Sequence, residues 1–257
     1  MEGLEQLKRT LLSLPELPLR VGWLRDHLAS VSDGTAAELL NGLCEENDRS
    51  SARAREAALV VAILFAGLGD CAFAERLRQH AHERHLLSLS RMLRKAPASH
   101  ASERPPSETP VPDYGAGREL TLGERKSLAR SPSRHSFEKL LSDPHPQVIR
   151  QLLMNPRLTE DDVVRLAARR PARIEVIEAI AQSSRWLSHA RVRLTILLNP
   201  GSPPSVAMPL LACCTRGELV DVVHGADASM VLRATAQELL QLRPPLKSYE
   251  PTDLLLQ

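Results

Sequence analysis

Aromatic residues are scarce in this chain: they make up 3% of it, with two Trp, two Tyr and three Phe. A core without rings must be built from Leu, Ala, Val and Ile. Such side chains mesh at the close spacing of helix-on-helix packing, so an all-α fold is expected. Charge of one sign is also lacking. Lys plus Arg number 33 against 31 Asp plus Glu, a net of +2, which leaves no strong field to demand nucleic acid or a membrane surface as partner.

No Cys-x-x-Cys pair occurs among Cys44, Cys71, Cys213 and Cys214, and a disulfide between adjacent Cys213 and Cys214 would be strained. Free, buried, reduced thiols in a cytoplasmic chain are expected. MEGLEQLKRT has no basic region followed by an apolar one, so no signal peptide is expected. The most apolar run, Ala57–Leu68, is too short to span a bilayer and is flanked by Glu56 and Asp70. It reads as a helix buried in a core.

Signatures of chemistry are missing as well. GxSxG, GxxxxGK(S/T), GxGxxG and HExxH do not occur, so the expectation is no enzyme, no catalytic residue, no metal and no cofactor. His82 and His85 share a helical face while His80 points elsewhere; with no cysteine nearby, the run reads as solvated surface. Glu160, Asp161 and Asp162 fall in the first turn of a helix, where carboxylates meet orphan amides and the helix dipole. Capping explains them better than a divalent ion does.

What the chain does have is punctuation. Residues 96–118 (APASHASERPPSETPVPDYGAGR) carry five prolines and almost nothing apolar. Such a segment buries too little surface to offset its ordering entropy and is expected to be a Pro/Ser-rich flexible linker. It divides a helical bundle at 1–95 from a repetitive part at 119–242, which a tail at 243–257 follows.

In the bundle, Thr35-x-x-Glu38 has capping-box spacing ahead of Leu39, Leu40 and Leu43, with Gly34 ending the segment before it. Ser50 or Ser51 is expected to cap the apolar helix that Gly67 and Gly69 end, and a last helix is expected from Ala72 to Leu93.

The second part repeats itself. Aligning Asn155-Pro156 on Asn199-Pro200, 44 positions on, places Val148 on Val192, Leu152 on Ile196, Leu153 on Leu197, Met154 on Leu198 and Leu166 on Leu210. Thr121-x-x-Glu124 and Thr159-x-x-Asp162 have capping-box spacing, and prolines separate helices of roughly ten to twelve residues. Short amphipathic helices that cannot cover their own apolar faces must stack, which predicts an α-solenoid. Trp186 reads as a plug at a corner between two helices.

The stretch Leu140–Pro171 (LLSDPHPQVIRQLLMNPRLTEDDVVRLAARRP) is similar to the leucine-rich repeat variant and HEAT-like solenoids of bacteria. Their repeats carry a DPxPxVR-like start, an apolar helix, an NP corner, a T/P-x-x-(D/E) helix start and a second helix containing LA. Val192–Ala212 resembles a second copy, and the likeness covers about residues 120–242. Some relatives of the variant repeat hold an iron–sulfur cluster on spaced cysteines; those cysteines are absent here, so no cluster is implied. The layout of a bundle followed by HEAT-like repeats, rich in arginine, also resembles proteins of gliding deltaproteobacteria that regulate a small Ras-like polarity GTPase. That likeness implies a co-activator of GTP hydrolysis in cell polarity or motility.

Arg165, Arg169, Arg170, Arg173, Arg191 and Arg193 come from neighbouring helices of the repeat and are the candidate protein-binding ridge. Guanidinium forks suit an acidic protein surface better than lysines do. The reading is a non-enzymatic scaffold or regulator that binds a protein through its repeat surface, possible partners including a small GTPase or its regulator. A nucleic-acid-binding repeat is the further alternative, disfavoured by the low net charge and the lack of stacking aromatics. Leu254–Leu256 in the tail reads as a docking element for the last repeat or for a partner.

Overall fold

The structure, a computed structural model, describes residues 2–49, 52–95, 110–131, 133–225 and 228–243. Every regular element among them is a helix. Residues 2–49 and 52–95 form α1 (Glu2–Ser13), α2 (Leu17–Ser30), α3 (Asp33–Asp48), α4 (Ala52–Leu68), α5 (Ala72–Glu83) and α6 (Leu87–Met92). The described residues from 110 onward form α7 (Leu122–Arg130), α8 (Phe137–Leu141), α9 (Pro146–Leu153), α10 (Glu160–Ala167), α11 (Ile174–Ala181), α12 (Ser184–Leu187), α13 (Ala190–Leu198), α14 (Pro204–Leu211), α15 (Arg216–His224) and α16 (Met230–Leu242).

The helix starts follow from hydroxyl chemistry. Thr121 with Glu124 and Thr159 with Asp162 close both halves of a capping box, satisfying orphan amides at the N-termini of α7 and α10. Thr215 and Glu218 do the same for α15. The expected box at Thr35 is not what opens α3. Its cap is Ser32, whose Oγ accepts from Thr35 N at 3.2 Å, so Gly34 lies inside the helix rather than ending the one before. Ser50, Ser51, residues 96–109 and 244–257 lie outside the described residues.

The helix expected to run unbroken from Ala72 to Leu93 is interrupted. His85 adopts φ 54°, Leu86 N donates to Ala81 O at 2.8 Å and His85 N to His82 O at 3.3 Å. That pair of bonds is a Schellman ending, with histidine in the left-handed position that glycine usually takes. The chain then restarts as α6.

α7 packs on α9 and α9 on α11; α10 packs on α13 and α13 on α15, which pairs with α16. The register aligned on the two Asn-Pro pairs holds in the core: Val148, Val192, Leu152, Ile196, Leu153, Leu197, Leu166 and Leu210 are all buried. Met154, aligned with Leu198, departs from it and stands 73% exposed. Trp186 fills a corner, 2% exposed, and its Nε1 donates to Leu153 O at 2.8 Å.

The apolar helix α4 lies along α14 and touches α11 and α12, while its other sides meet α2 and α3. Where its end meets that of α11, a Cβ on Gly67 would stand 3.2 Å from Ala181 O, closer than a side chain normally tolerates. Gly69, at φ 61°, follows the end of the helix. Buried residues on both sides of 96–109 therefore belong to one continuous core. Each leucine sealed in it contributes about 1.5–3 kcal/mol.

Candidate functional site

Helix C-termini leave carbonyls without partners, and three side chains spaced 44 positions apart meet this need in the same way. Asn155 Nδ2 donates to Ala129 O and Ser131 O, both at 2.8 Å, at the end of α7. Asn199 Nδ2 donates to Ala167 O at 2.6 Å and Arg169 O at 3.1 Å, at the end of α10. Another 44 positions on, Arg243 donates to Cys214 O at 2.6 Å and Ala212 O at 2.8 Å, just beyond α14. Each of the three thus latches the end of an earlier helix through two carbonyls. Arg243, at the start of the expected tail, is 6% exposed.

The α8–α9 turn is held by a buried carboxylate. Asp143 accepts from Arg125 Nη1 at 2.8 Å on both oxygens, from Tyr114 Oη at 2.7 Å and from His145 N at 2.8 Å. Burial, then the bond to Asp143, raises the Tyr114 phenol above its ordinary range. Tyr114 thereby pins the end of the proline-rich segment onto the first repeat helices.

Arg165, Arg169 and Arg173 converge on this turn. Arg165 forks onto Glu138 at 2.8 and 2.5 Å, Arg169 Nη2 reaches Ser142 Oγ at 2.9 Å, and Arg173 Nη1 reaches Asp143 O at 2.7 Å. Burial lowers the pKa values of Arg169 and Arg173, and the neighbouring cations Arg173 and Arg165 lower that of Arg169 further. Arg170 is exposed beside the cis peptide to Pro171. Arg191 and Arg193 sit apart from that group, on α13. Arg191 pairs with Asp161 at 2.7 Å, and Arg193 donates to Leu187 O and Ser188 O at 2.7 and 2.8 Å beyond α12.

Arg165 and Arg191, two exposed members of the set, are therefore rungs between helices, from α10 to α8 and from α13 to α10. Arg134–Asp162 at 2.9 Å and His189–Glu160 at 3.2 Å extend the same ladder alongside Arg165–Glu138 and Arg191–Asp161. The acidic trio spends itself on a cap and on these rungs. Exposed pairs of this kind stabilise by about 0–1 kcal/mol and leave little net charge on the surface.

A different set of cations carries no such neutralisation, and the sequence reading passed over it. On α7, Lys126 Nζ donates to Gln147 Oε1 at 3.2 Å and Arg130 Nε to Gln151 Oε1 at 2.9 Å, both partners on α9. The side chain of Arg150, exposed on α9, forms no hydrogen bond or ion pair with any described residue. The matched four-residue spacing of Lys126/Arg130 and Gln147/Gln151 was the available signal.

A cleft of about 430 Å³ opens between α5, α6 and the turn before α14, edged by Arg78, Arg94 and Lys95. Its cations are matched by carboxylates: Arg78 with Asp70, Arg94 with Glu238 and Lys95 with Glu75, at 2.5, 2.9 and 2.7 Å. Burial pushes the Cys213 thiol up to about 12 and raises Cys44 and Cys214 too, so none is a ready thiolate. No cluster of His, Cys, Asp and Glu suited to a metal ion occurs among the described residues, and none of their helices is long and apolar enough to cross a membrane. No family model, curated protein or solved structure matches the chain.

Proposed function

We propose that this chain is a non-enzymatic scaffold or regulator that binds a protein partner through stacked helical repeats of HEAT-like or leucine-rich-repeat-variant type. The observation that carries the reading is the latch at Asn155, Asn199 and Arg243, one side chain every 44 positions serving two carbonyls at the end of an earlier helix. A repeated internal joint builds a regular stack whose outward residues are free to vary, which is how repeat proteins make extended binding surfaces. The bundle covers only part of that stack, because α4 lies on α11, α12 and α14 while α7 and α9 pack on each other and on α8 and α11.

Cross-linking of the full chain in its native lysate, read by mass spectrometry, tests the reading. A protein enriched in stoichiometric amount and cross-linked to helices α7–α16 is expected. No enriched protein, or cross-links confined to residues 2–95, would overturn it.

A further inference from the structure

We infer that the face formed by α7 and α9 is the docking site and that its occupant is an acidic segment of a protein, helical and carrying Asp or Glu at every fourth position. The inference rests on the scaffold reading and names its surface and partner chemistry.

Two kinds of rung cross between neighbouring helices of this repeat, and they differ in one respect. Around α8, α10 and α13 the cation meets a carboxylate, as in Arg165–Glu138 and Arg191–Asp161. Between α7 and α9 it meets a glutamine amide, as in Lys126–Gln147 and Arg130–Gln151. An amide oxygen orients the cation as a carboxylate would, yet leaves its charge uncancelled. Arg150 adds a third cation with no partner among the described residues.

Helix geometry puts these groups on one surface. At about 100° per residue, positions 147, 150, 151 and 154 fall within about 100° of arc on α9. Lys126 and Arg130 are one turn apart on the adjacent helix, about 6 Å along its axis. Carboxylates four residues apart on a partner helix repeat at that same rise. Met154, 73% exposed on the same arc, supplies an adaptable apolar contact. Three cations, one thioether and no aromatic ring suit a short acidic helix better than a nucleic acid, whose binding needs a longer basic track or stacking platforms.

The test uses the full chain and fluorescence anisotropy with four probes: a glutamate-rich helical peptide, the same peptide with Gln for Glu, a single-stranded RNA and a duplex DNA of similar length. Only the acidic peptide should bind, more weakly as salt rises. The variant Lys126→Glu/Arg130→Glu/Arg150→Glu should lose about tenfold or more in affinity, since reversed charges then face the partner. The variant Arg9→Glu/Arg25→Glu/Arg49→Glu, with the same change in net charge on the bundle, should bind like the wild type. Should the reversal impair folding by circular dichroism, Lys126→Gln/Arg130→Gln/Arg150→Gln serves in its place. Equal losses in both triple variants would overturn the face, and tighter binding of RNA or DNA would overturn the partner class. Failure of the acidic peptide to bind would overturn the inference, while the scaffold reading stands or falls separately on the lysate cross-links.

Discussion

Asn47 and Arg243 donate to the same atom, the carbonyl oxygen of Ala212, each at 2.8 Å. One donor comes from α3 and the other from the residue that follows α16, so the end of α14 is held from both sides of the chain. Either donor alone still satisfies Ala212 O. Asn47→Ala combined with Arg243→Leu should therefore cost more than the two single changes added, with a coupling of about 0.5–3 kcal/mol in urea melts. Simple additivity would mean that the shared carbonyl carries no energy.

The other latches have no such second donor among the described residues. Asn155→Ala and Asn199→Ala should each cost about 1–3 kcal/mol, because the buried carbonyls they serve are left unpaired. Asn155→Asp should be worse than Asn155→Ala, since it sets a carboxylate against two carbonyl oxygens. The reverse order in chemical denaturation would show that volume, not hydrogen bonding, matters there.

Leu153 is 4% exposed, and its carbonyl is the acceptor for Trp186. Leu153→Ala should cost about 2–5 kcal/mol by denaturant melting, the usual cost of truncating a buried leucine. A change under about 0.5 kcal/mol, the scale of a surface substitution, would place the residue on the surface and undo its alignment with Leu197.

Arg165 and Arg173 were expected to act alike as surface charges, and the structure separates them. Arg165 holds the exposed Glu138, whereas half-buried Arg173 holds the backbone carbonyl of Asp143. Arg165→Ala should leave the denaturation midpoint close to that of the wild type, as an exposed charge change usually does. Arg173→Ala should cost about 1–3 kcal/mol through the unpaired carbonyl it leaves, again by denaturant melting.

The capping box of α7 has a pH signature. Arg118, then the amide and hydroxyl of Thr121, lower the Glu124 carboxyl from 4.5 to about 2. Because the folded value lies below the unfolded one, the stabilisation is complete above about pH 4.5 and is lost as pH falls toward 2. A side-chain NMR titration should find the Glu124 midpoint near 2 and see it rise in Arg118→Ala. An unshifted midpoint in the wild type would remove the cap from the account.

How much of this could be read from sequence depends on the range of the interaction. Thr121 with Glu124 and Thr159 with Asp162 were legible because both partners of a capping box lie within one turn, and Thr215 with Glu218 was equally legible but passed over. Val148 and Val192, or Leu152 and Ile196, were legible as a period. The break at His85 was not, since a Schellman ending without glycine gives no compositional sign. Asn155 and Asn199 announced a corner but not what they hold, because an orphan carbonyl belongs to backbone that every residue shares. Arg243 was hidden by the change from amide to guanidinium. The partners of Arg165 and Arg191 were not legible, because Glu138 and Asp161 lie about 30 positions from the cations they neutralise. No local pattern encodes that distance.

The seat of α4 against α14 also has a consequence in time. The ribosome completes α4 roughly 140 residues before it completes α14. At synthesis rates of about 5–20 residues per second, the apolar face of α4 waits about 7–30 s for its cover. Throughout that interval the nascent chain presents Val60, Val61, Ile63 and Leu64 without their final neighbours. Shielding by a chaperone, or provisional collapse within the bundle, has to bridge the gap, so the yield of folded protein should depend on elongation speed more steeply than its finished stability suggests.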